Sequence, residues 1–279
     1  MALLAVIGHP ISHSASPIMH NAALRALGLP LRYIAIDTRP DQFKRTLNSL
    51  HVLGFKGLNI TIPHKEAAAR LSLSLSEEAE AVSAVNTLRR IHGGWAGYNT
   101  DVAGVERSIA PQIEDGAGCC LVLGAGGSAA AALYALWRLG VGRVVLANRS
   151  PERAEALAWR FREKLGLDIK VVALGEAGRE ARKAYIIINA TPLGLTYRES
   201  PLRPEDLSKN HVILDMVYSP RTTPLQAVAE QAGSKYIDGV KMLVEQGAEA
   251  FRIIIGLEPD RALMERAVRI WLARRRDPT

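Results

Sequence analysis

Two short stretches offer side chains that could handle a proton. In "GLNITIPHK" (Gly57–Lys65), Asn59 and Thr61 alternate with Ile60 and Ile62. A period of two then sets the amide and hydroxyl on one face of a half-buried strand. Pro63 ends that strand and suits the first position of a helix, where its missing N–H would lack an intrahelical partner anyway. Lys65 then falls in a first helical turn, where the macrodipole disfavours a cation. "YNTD" ends in Asp101 at the start of another helix, with Thr100 as its expected N-cap. An acid there stabilises any helix by a few tenths to about 1 kcal/mol, so Asp101 alone implies no chemistry. "SHSASP" places the hydroxyls of Ser14 and Ser16 on alternate positions, and Ser16 followed by Pro17 reads as N-cap and N1. His9, His13 and His20 lie nearby. Pro10 interrupts the first pair and no further ligand cluster follows, so they read as surface or packing residues and no metal is expected.

A third stretch, "LVLGAGGSAAAAL", joins an apolar strand to an alanine-rich helix. Gly124, Gly126 and Ala129 fill the G-x-G-x-x-G/A spacing, with Ala125, Gly127 and Ser128 between them. Gly124 permits a tight turn, Gly126 lets backbone approach a pyrophosphate, and Ala129 allows close helix–sheet packing. The helix N-terminus then faces the phosphates. A strand about 20 residues on would end in an acid in an NAD site. Here "RVVLA" ends in Asn148-Arg149-Ser150, with Arg153 a turn later and no acid at the strand end. That set suits a 2′-phosphate, since guanidinium–phosphate bonds are charge-assisted and often bidentate. It equally suits a helix start with Ser150 as N-cap and Pro151 at N1, and both can hold together. The cofactor expected is NADP. "NATPLG" (Asn189–Gly194) follows a further apolar strand and would lie by the cofactor crevice, although a plain turn fits the same residues.

These stretches need elements to position them, and the 279-residue chain supplies strand–helix alternation from end to end. The predicted class is α/β in two domains, the second a Rossmann-type unit with a parallel sheet. Two strand-like pieces, "AVNTLRRI" and "GWAGYN", form a hairpin through Gly93-Gly94. The last two helices have no strand between them and are expected to return to the first domain. The second of them would bury Leu263, Ala267, Ile270 and Trp271. No apolar run reaches membrane-span length, and the N-terminus lacks the basic region of a signal peptide. The net charge of +7 comes with only 5% aromatic residues and dispersed cations. Arg274, Arg275 and Arg276 end a predicted helix, so no nucleic-acid partner is expected. Cys119 and Cys120, the two cysteines, are adjacent and point to opposite faces of a strand, which argues against a disulfide and suits the cytosol.

Taken in order, "SHSASPIMHN", "GLNITIPHK", "AVNT", "GYNTD", "GAGGSA", "NRS", "NATPLG" and "DGVKMLVEQGAEAF" resemble the shikimate dehydrogenase family, from Gly8 to Phe251. The resemblance implies NADP-dependent interconversion of shikimate and 3-dehydroshikimate by a cytoplasmic enzyme, monomer or homodimer. It implies a discontinuous substrate domain, 1–101 plus 239–279, with the NADP domain at 102–238. It also implies that Ser14 and Ser16 hold the substrate carboxylate, with Tyr218 reaching that end. Asn59, Thr61, Asn86 and Gln246 would bind ring hydroxyls, and Lys65 and Asp101 match the catalytic pair. On the cofactor, Asn148, Arg149, Ser150 and Arg153 would hold the 2′-phosphate, while Thr191, Met216, Gly239 and Met242 would line the nicotinamide side. The family often has Thr where this chain has Ser150, which keeps the hydroxyl and loses a methyl. Two rivals are a quinate/shikimate dehydrogenase of broader use and an NADP-binding regulator without catalysis. Ser14 and Ser16 with no acid beside Arg149 weigh against the first, and Lys65 with Asp101 against the second.

Overall fold

The computed structural model describes residues 2–113, 118–194 and 199–275. The chain forms two compact units. One runs to Gly104 and resumes at Val244, and the other spans Val105–Leu243. Both divisions fall inside helices, a few residues beyond the limits expected from the sequence, because each of those helices is shared between the units.

The first unit opens with β1 (Ala2–Gly8), α1 (Ser16–Ala26), β2 (Leu31–Asp37), α2 (Phe43–Val52), β3 (Gly57–Ile60) and α3 (Lys65–Leu71). It continues through β4 (Ser74–Leu75), α4 (Glu77–Val82), β5 (Thr87–Ile91), β6 (Gly94–Tyr98) and the start of α5 (Asp101–Ile109). Its sheet has the order β2-β1-β3-β5-β6-β4. β1 pairs parallel with β2 and β3, whereas β3, β5 and β6 pair antiparallel in succession. The carboxyl ends of β1, β3 and β6 and the amino end of β5 therefore share one sheet edge. Phe43, Leu47, Leu58, Leu88 and Trp95 fill the core beneath one face.

Several expectations shift here. Ile62 is 62% exposed while Asn59 is buried, because β3 stops at Ile60 and the chain turns before the alternation can continue. Pro63 lies in that turn, on a cis peptide bond and ahead of a His64 N–H bond to the Thr61 carbonyl of 2.9 Å. Lys65, not Pro63, is thus the first residue of α3. Ser16 does not cap α1 but begins it, following a helical Ala15, and its N–H donates to the Ser14 hydroxyl at 3.3 Å.

The second unit contains β7 (Cys120–Leu123), α6 (Gly127–Arg138), β8 (Arg143–Asn148), α7 (Pro151–Leu165), β9 (Asp168–Ala173) and α8 (Ala177–Ala181). β10 (Ile186–Asn189), β11 (Val212–Asp215), α9 (Pro224–Gln231), β12 (Lys235–Ile237) and the first turn of α10 (Gly239–Ile255) follow. All pairings are parallel, in the order β12-β11-β10-β7-β8-β9. Relabelled within the unit, that is the doubly wound 6-5-4-1-2-3 order of a Rossmann fold, with its switch point between β7 and β10. The strands read CLVL, IIIN and VILD because helices cover both faces. Cys119 and Cys120 form no disulfide, and burial pushes the Cys120 thiol up to about 12.

The C-terminal half of α10 and α11 (Arg261–Ala273) rejoin the first unit, where α11 packs on α1. Its buried stripe is Met264, Val268 and Leu272, with Ile270 exposed, one residue round from the face expected. Leu263, Ala267 and Trp271 have the same i, i+4, i+8 spacing as the buried series, so the period alone does not choose between two adjacent faces. Arg275 lies over Trp271 at 4.5 Å, and Arg276 falls outside the described residues. Among the described residues no helix is long and apolar enough to cross a membrane.

His20, on α1, is buried between the rings of Tyr33 (4.3 Å) and Phe251 (6.1 Å). Burial lowers its pKa from 6.5 to about 3. Below pH 6.5 the unfolded chain takes up a proton that the folded chain refuses, so stability drops as the pH is lowered and levels off near pH 3. At pH 5 the loss is about 2 kcal/mol. His20→Phe, which preserves stacking, should remove that part of the acid limb in urea unfolding at pH 7 and pH 5. Equal pH dependence in both proteins would refute it.

Candidate active site

The shared sheet edge gathers the polar residues of the first unit. β3 delivers Asn59 and, through the turn after it, Thr61 and Lys65. The Lys65 carbonyl accepts from Val85 N–H at 2.9 Å, which ties the start of α3 to the segment entering β5. Asn86 sits in that segment, its carbonyl accepting from Ile60 N–H (2.8 Å) and its N–H donating to the Tyr98 carbonyl (3.1 Å). Thr100 and Asp101 follow β6, and α10 contributes Gln246.

Lys65 Nζ donates to Asp101 Oδ2 at 2.5 Å. The side chains are 16% and 7% exposed, so the pair is nearly dry. Asn86 Nδ2 donates to Asp101 Oδ1 at 2.8 Å and to Thr100 Oγ1 at 3.0 Å. Its Oδ1 accepts from Thr100 N–H at 2.7 Å. Gln246 Oε1 accepts from Asn86 and Thr100 at 3.4 Å. The Asp101 N–H donates to Asn99 Oδ1 at 3.1 Å. A carboxylate with little solvent needs such partners, and the N-terminus of α5 adds its dipole in the favourable sense. Lys65 faces the adverse end of α3, and Asp101 offsets this. Thr100 holds the N-cap position, its carbonyl accepting from Gly104 N–H at 3.0 Å.

Asn59 is fixed in the same layer by Asn86, Thr87 and Tyr33. Ser16 is buried, and Ser14, Thr61 and Gln246 are half-buried. A Cβ at Gly247 would collide with the Met19 side chain, so this glycine lets α10 close on α1 and brings Gln246 in.

In the second unit the glycine turn has the form its spacing predicts. Gly124 has φ +107°, a conformation L side chains rarely adopt, and a Cβ there would lie 3.0 Å from the Ala190 carbonyl. The β7 turn and the loop after β10 thus meet at the switch point. Gly126 caps α6, and nothing lies within 4 Å of its Cβ position. That open backbone, with Gly127, Ser128 and Ala129 opening the helix, fits a pyrophosphate. Ala125 lies between the two glycines. Arg149 and Arg153 are exposed at the start of α7. Ser150 occupies the N-cap position without a side-chain cap bond, and its hydroxyl donates to Glu152 at 2.8 Å. Asn148 Nδ2 donates to the Ser150 carbonyl at 2.9 Å.

Thr191 is held by its own loop: its N–H and hydroxyl donate to Asn189 Oδ1 at 3.1 and 2.7 Å. Asn189 Nδ2 donates to Asp215 at 2.9 Å. Asp215 also accepts from Thr223, Tyr236 and Val217 N–H. Burial raises the carboxyl pKa against those bonds. This brace beneath Thr191 and Met216 was missed in the sequence, although an acid closing the apolar strand "VILD" was its signal. Tyr218 and Met242 also belong to this unit, Tyr218 half-buried and Met242 buried, and Gly239 begins α10.

A Rossmann unit with an open glycine turn, in one chain with a unit carrying a lysine–carboxylate pair amid amides and hydroxyls, defines a dinucleotide-dependent dehydrogenase. Profiles described as the shikimate dehydrogenase substrate binding domain, shikimate/quinate 5-dehydrogenase and the shikimate 5′-dehydrogenase C-terminal domain match residues 6–88, 109–200 and 239–269. Shikimate dehydrogenase (NADP(+)) of Thermococcus kodakarensis is 40% identical over 95% of both chains. The chain belongs to the shikimate dehydrogenase family. Among solved structures, shikimate 5-dehydrogenase from Thermus thermophilus in complex with NADP(H) and shikimate superposes with a TM-score of 0.86. It is 40% identical, covering 97% of this chain and 99% of that one. Quinate dehydrogenase from Corynebacterium glutamicum in complex with NAD reaches 0.87 at 33% identity, covering 95% of this chain and 98% of that one. Fold alone therefore does not separate the substrates.

Proposed function

We propose that Lys65 is the acid–base group and Asp101 its orienting partner in the family's reaction, the reversible NADPH-dependent reduction of 3-dehydroshikimate to shikimate. That reaction is this chain's activity, an oxidoreductase step of aromatic amino-acid biosynthesis, and NADP is its cofactor. The observation that carries the residue reading is the 2.5 Å Lys65–Asp101 contact, set in the Asn86–Thr100–Gln246 layer.

When bound, NADPH supplies the hydride that reduces the substrate ketone. Lys65 Nζ donates the proton that the new alkoxide oxygen needs, and takes it back in the oxidative direction. Asp101 accepts from that amine throughout and, held by Asn86 and the α5 N-terminus, keeps it aimed. Asn59, Thr61, Asn86 and Gln246 read the ring hydroxyls. Ser14 and Ser16 bind the carboxylate, with Tyr218 at the same end. Gly124 to Ala129 receive the pyrophosphate on the α6 N-terminus. Asn148, Arg149, Ser150 and Arg153 address the 2′-phosphate, and Thr191, Met216, Gly239 and Met242 the nicotinamide. The substrate domain is then the first unit and the NADP domain the second. The working form is a monomer or homodimer in the cytosol, a compartment supported by the two unpaired thiols.

Absorbance of the reduced nicotinamide, followed with shikimate and then quinate against NADP+ and NAD+, tests this. Turnover of shikimate with NADP+ far above the other three combinations is expected. Equal turnover of quinate would replace the reading with a quinate/shikimate dehydrogenase, and none with any would leave an NADP-binding regulator.

A further inference from the structure

Asn59 has a hydrogen-bonding direction that the surrounding backbone dictates. Its side-chain amide stands 3.3 Å from the Asn86 carbonyl, which can only accept. The nitrogen must therefore face that carbonyl. The same nitrogen reaches Thr87 Oγ1 at 3.1 Å, which occupies its second hydrogen. Oδ1 then points the other way, 2.7 Å from the Tyr33 hydroxyl, and Tyr33 must be the donor of that bond. Both Asn59 hydrogens are spent within the protein, and its remaining capacity is the second lone pair of Oδ1.

Tyr33 is itself held on three sides. Asn21 Nδ2 donates to the Tyr33 carbonyl at 2.7 Å, and the Tyr33 N–H donates to Asn21 Oδ1 at 3.0 Å. The neighbouring His20 stacks on the ring at 4.3 Å with planes 4° apart. Burial keeps that imidazole neutral through the physiological range, so the stack carries no charge change that could displace it. Two consecutive residues of α1 thus clamp the backbone and ring of Tyr33 and set its hydroxyl on Asn59.

From this we infer that Tyr33 is a specificity-determining positioning residue: by donating to Asn59 it locks that side chain as a pure acceptor for the ligand. The inference rests on the reading that Asn59 touches the substrate ring. Under it, the ring position facing Asn59 must carry a hydroxyl that donates. A ketone there would set two acceptors against each other. The reacting oxygen, which alternates between alcohol and ketone, is therefore left to Lys65, and Asn59 reads a hydroxyl that stays a hydroxyl in both substrate and product. The arrangement rejects a ring turned so as to present the ketone to Asn59.

The test is a double-mutant cycle of Tyr33→Phe and Asn59→Ala, read as kcat and KM for shikimate and KM for NADP+. Tyr33→Phe keeps the ring, the His20 stack and the Asn21 clasp and deletes only the donor. It should raise KM for shikimate about three- to tenfold, the range of one neutral hydrogen bond. KM for NADP+ should hold, and the melting temperature should fall by no more than the loss of one buried hydrogen bond. Asn59→Ala should raise KM at least as much, and adding Tyr33→Phe to it should change KM no further. Among monodeoxy analogues of shikimate, the one lacking the hydroxyl read by Asn59 should be insensitive to Tyr33→Phe. If Asn59→Ala raises KM but Tyr33→Phe does not, or the two effects add in full, the role of Tyr33 is overturned while the ring-binding reading of Asn59 stands. If Asn59→Ala leaves KM unchanged, that reading fails and the inference with it.

Discussion

Lys65→Met is expected to lower kcat for shikimate oxidation by about 10²–10⁴-fold, the usual contribution of a positioned acid–base group. The dissociation constant for shikimate should rise far less, because Asn59, Thr61, Asn86 and the two serines keep their places. Methionine fills most of the volume of the lysine stem. Removing one partner of a buried ion pair can cost about 3–5 kcal/mol by stranding the other charge. Asp101 is not stranded here: Asn86 Nδ2 still donates to it at 2.8 Å and the α5 N-terminus still faces it. The variant should therefore fold, with a loss well short of that range. Steady-state rates beside direct shikimate titration separate the two effects, and a thermal melt confirms folding. A folded variant with near-normal turnover overturns the assignment of Lys65.

What could be read from the residues alone follows a physical line. The Rossmann unit was legible because its signals are local. An apolar run, three small residues at fixed spacing and an alanine-rich helix determine one another within about twenty positions. The polar edge of the first unit was legible only in pieces. Lys65 and Asp101 lie far apart in sequence, and only the antiparallel pairing of β3, β5 and β6 brings them together. β4, α4, α8, α9 and β12 went unnoticed because two to eight residues show no readable period. Ile62 and Ile270 were placed inside because they are apolar, but exposure is decided by what packs over a position, and an exposed apolar side chain is ordinary. Asn59 is the reverse case. It is a polar residue on a strand, expected to face a half-buried surface, and it is buried because Tyr33 and Thr87 satisfy it.

Arg149→Ala is expected to cost about 10- to 100-fold in NADP affinity and little in NAD affinity. A hydrogen bond to a charged group contributes about 1.5–3 kcal/mol net, which converts to that range. Arg149 and Arg153 lie exposed at the start of α7, one turn apart, where a guanidinium fork can meet a phosphate at two points. The structure adds one opposing charge that the strand end does not reveal. Glu152 accepts from the Ser150 hydroxyl at 2.8 Å, and its own backbone amide together with that hydroxyl holds its carboxyl below the usual range. A 2′-phosphate therefore meets two cations and one nearby anion, and for Ser150 to donate to it the hydroxyl must leave Glu152. Any preference for NADP should then rest on the arginines rather than on the serine, and the cost of losing Arg149 should exceed that of Ser150→Ala. Because the groups are exposed, the Arg149 effect should shrink as ionic strength rises and the Debye length falls from about 10 Å at 0.1 M toward 3 Å at 1 M. The deciding measurement is kcat/KM for both cofactors, at low and high salt, in wild type and Arg149→Ala. Wild type using NAD as well as NADP, or a variant losing both equally, would show that α7 does not read the 2′-phosphate.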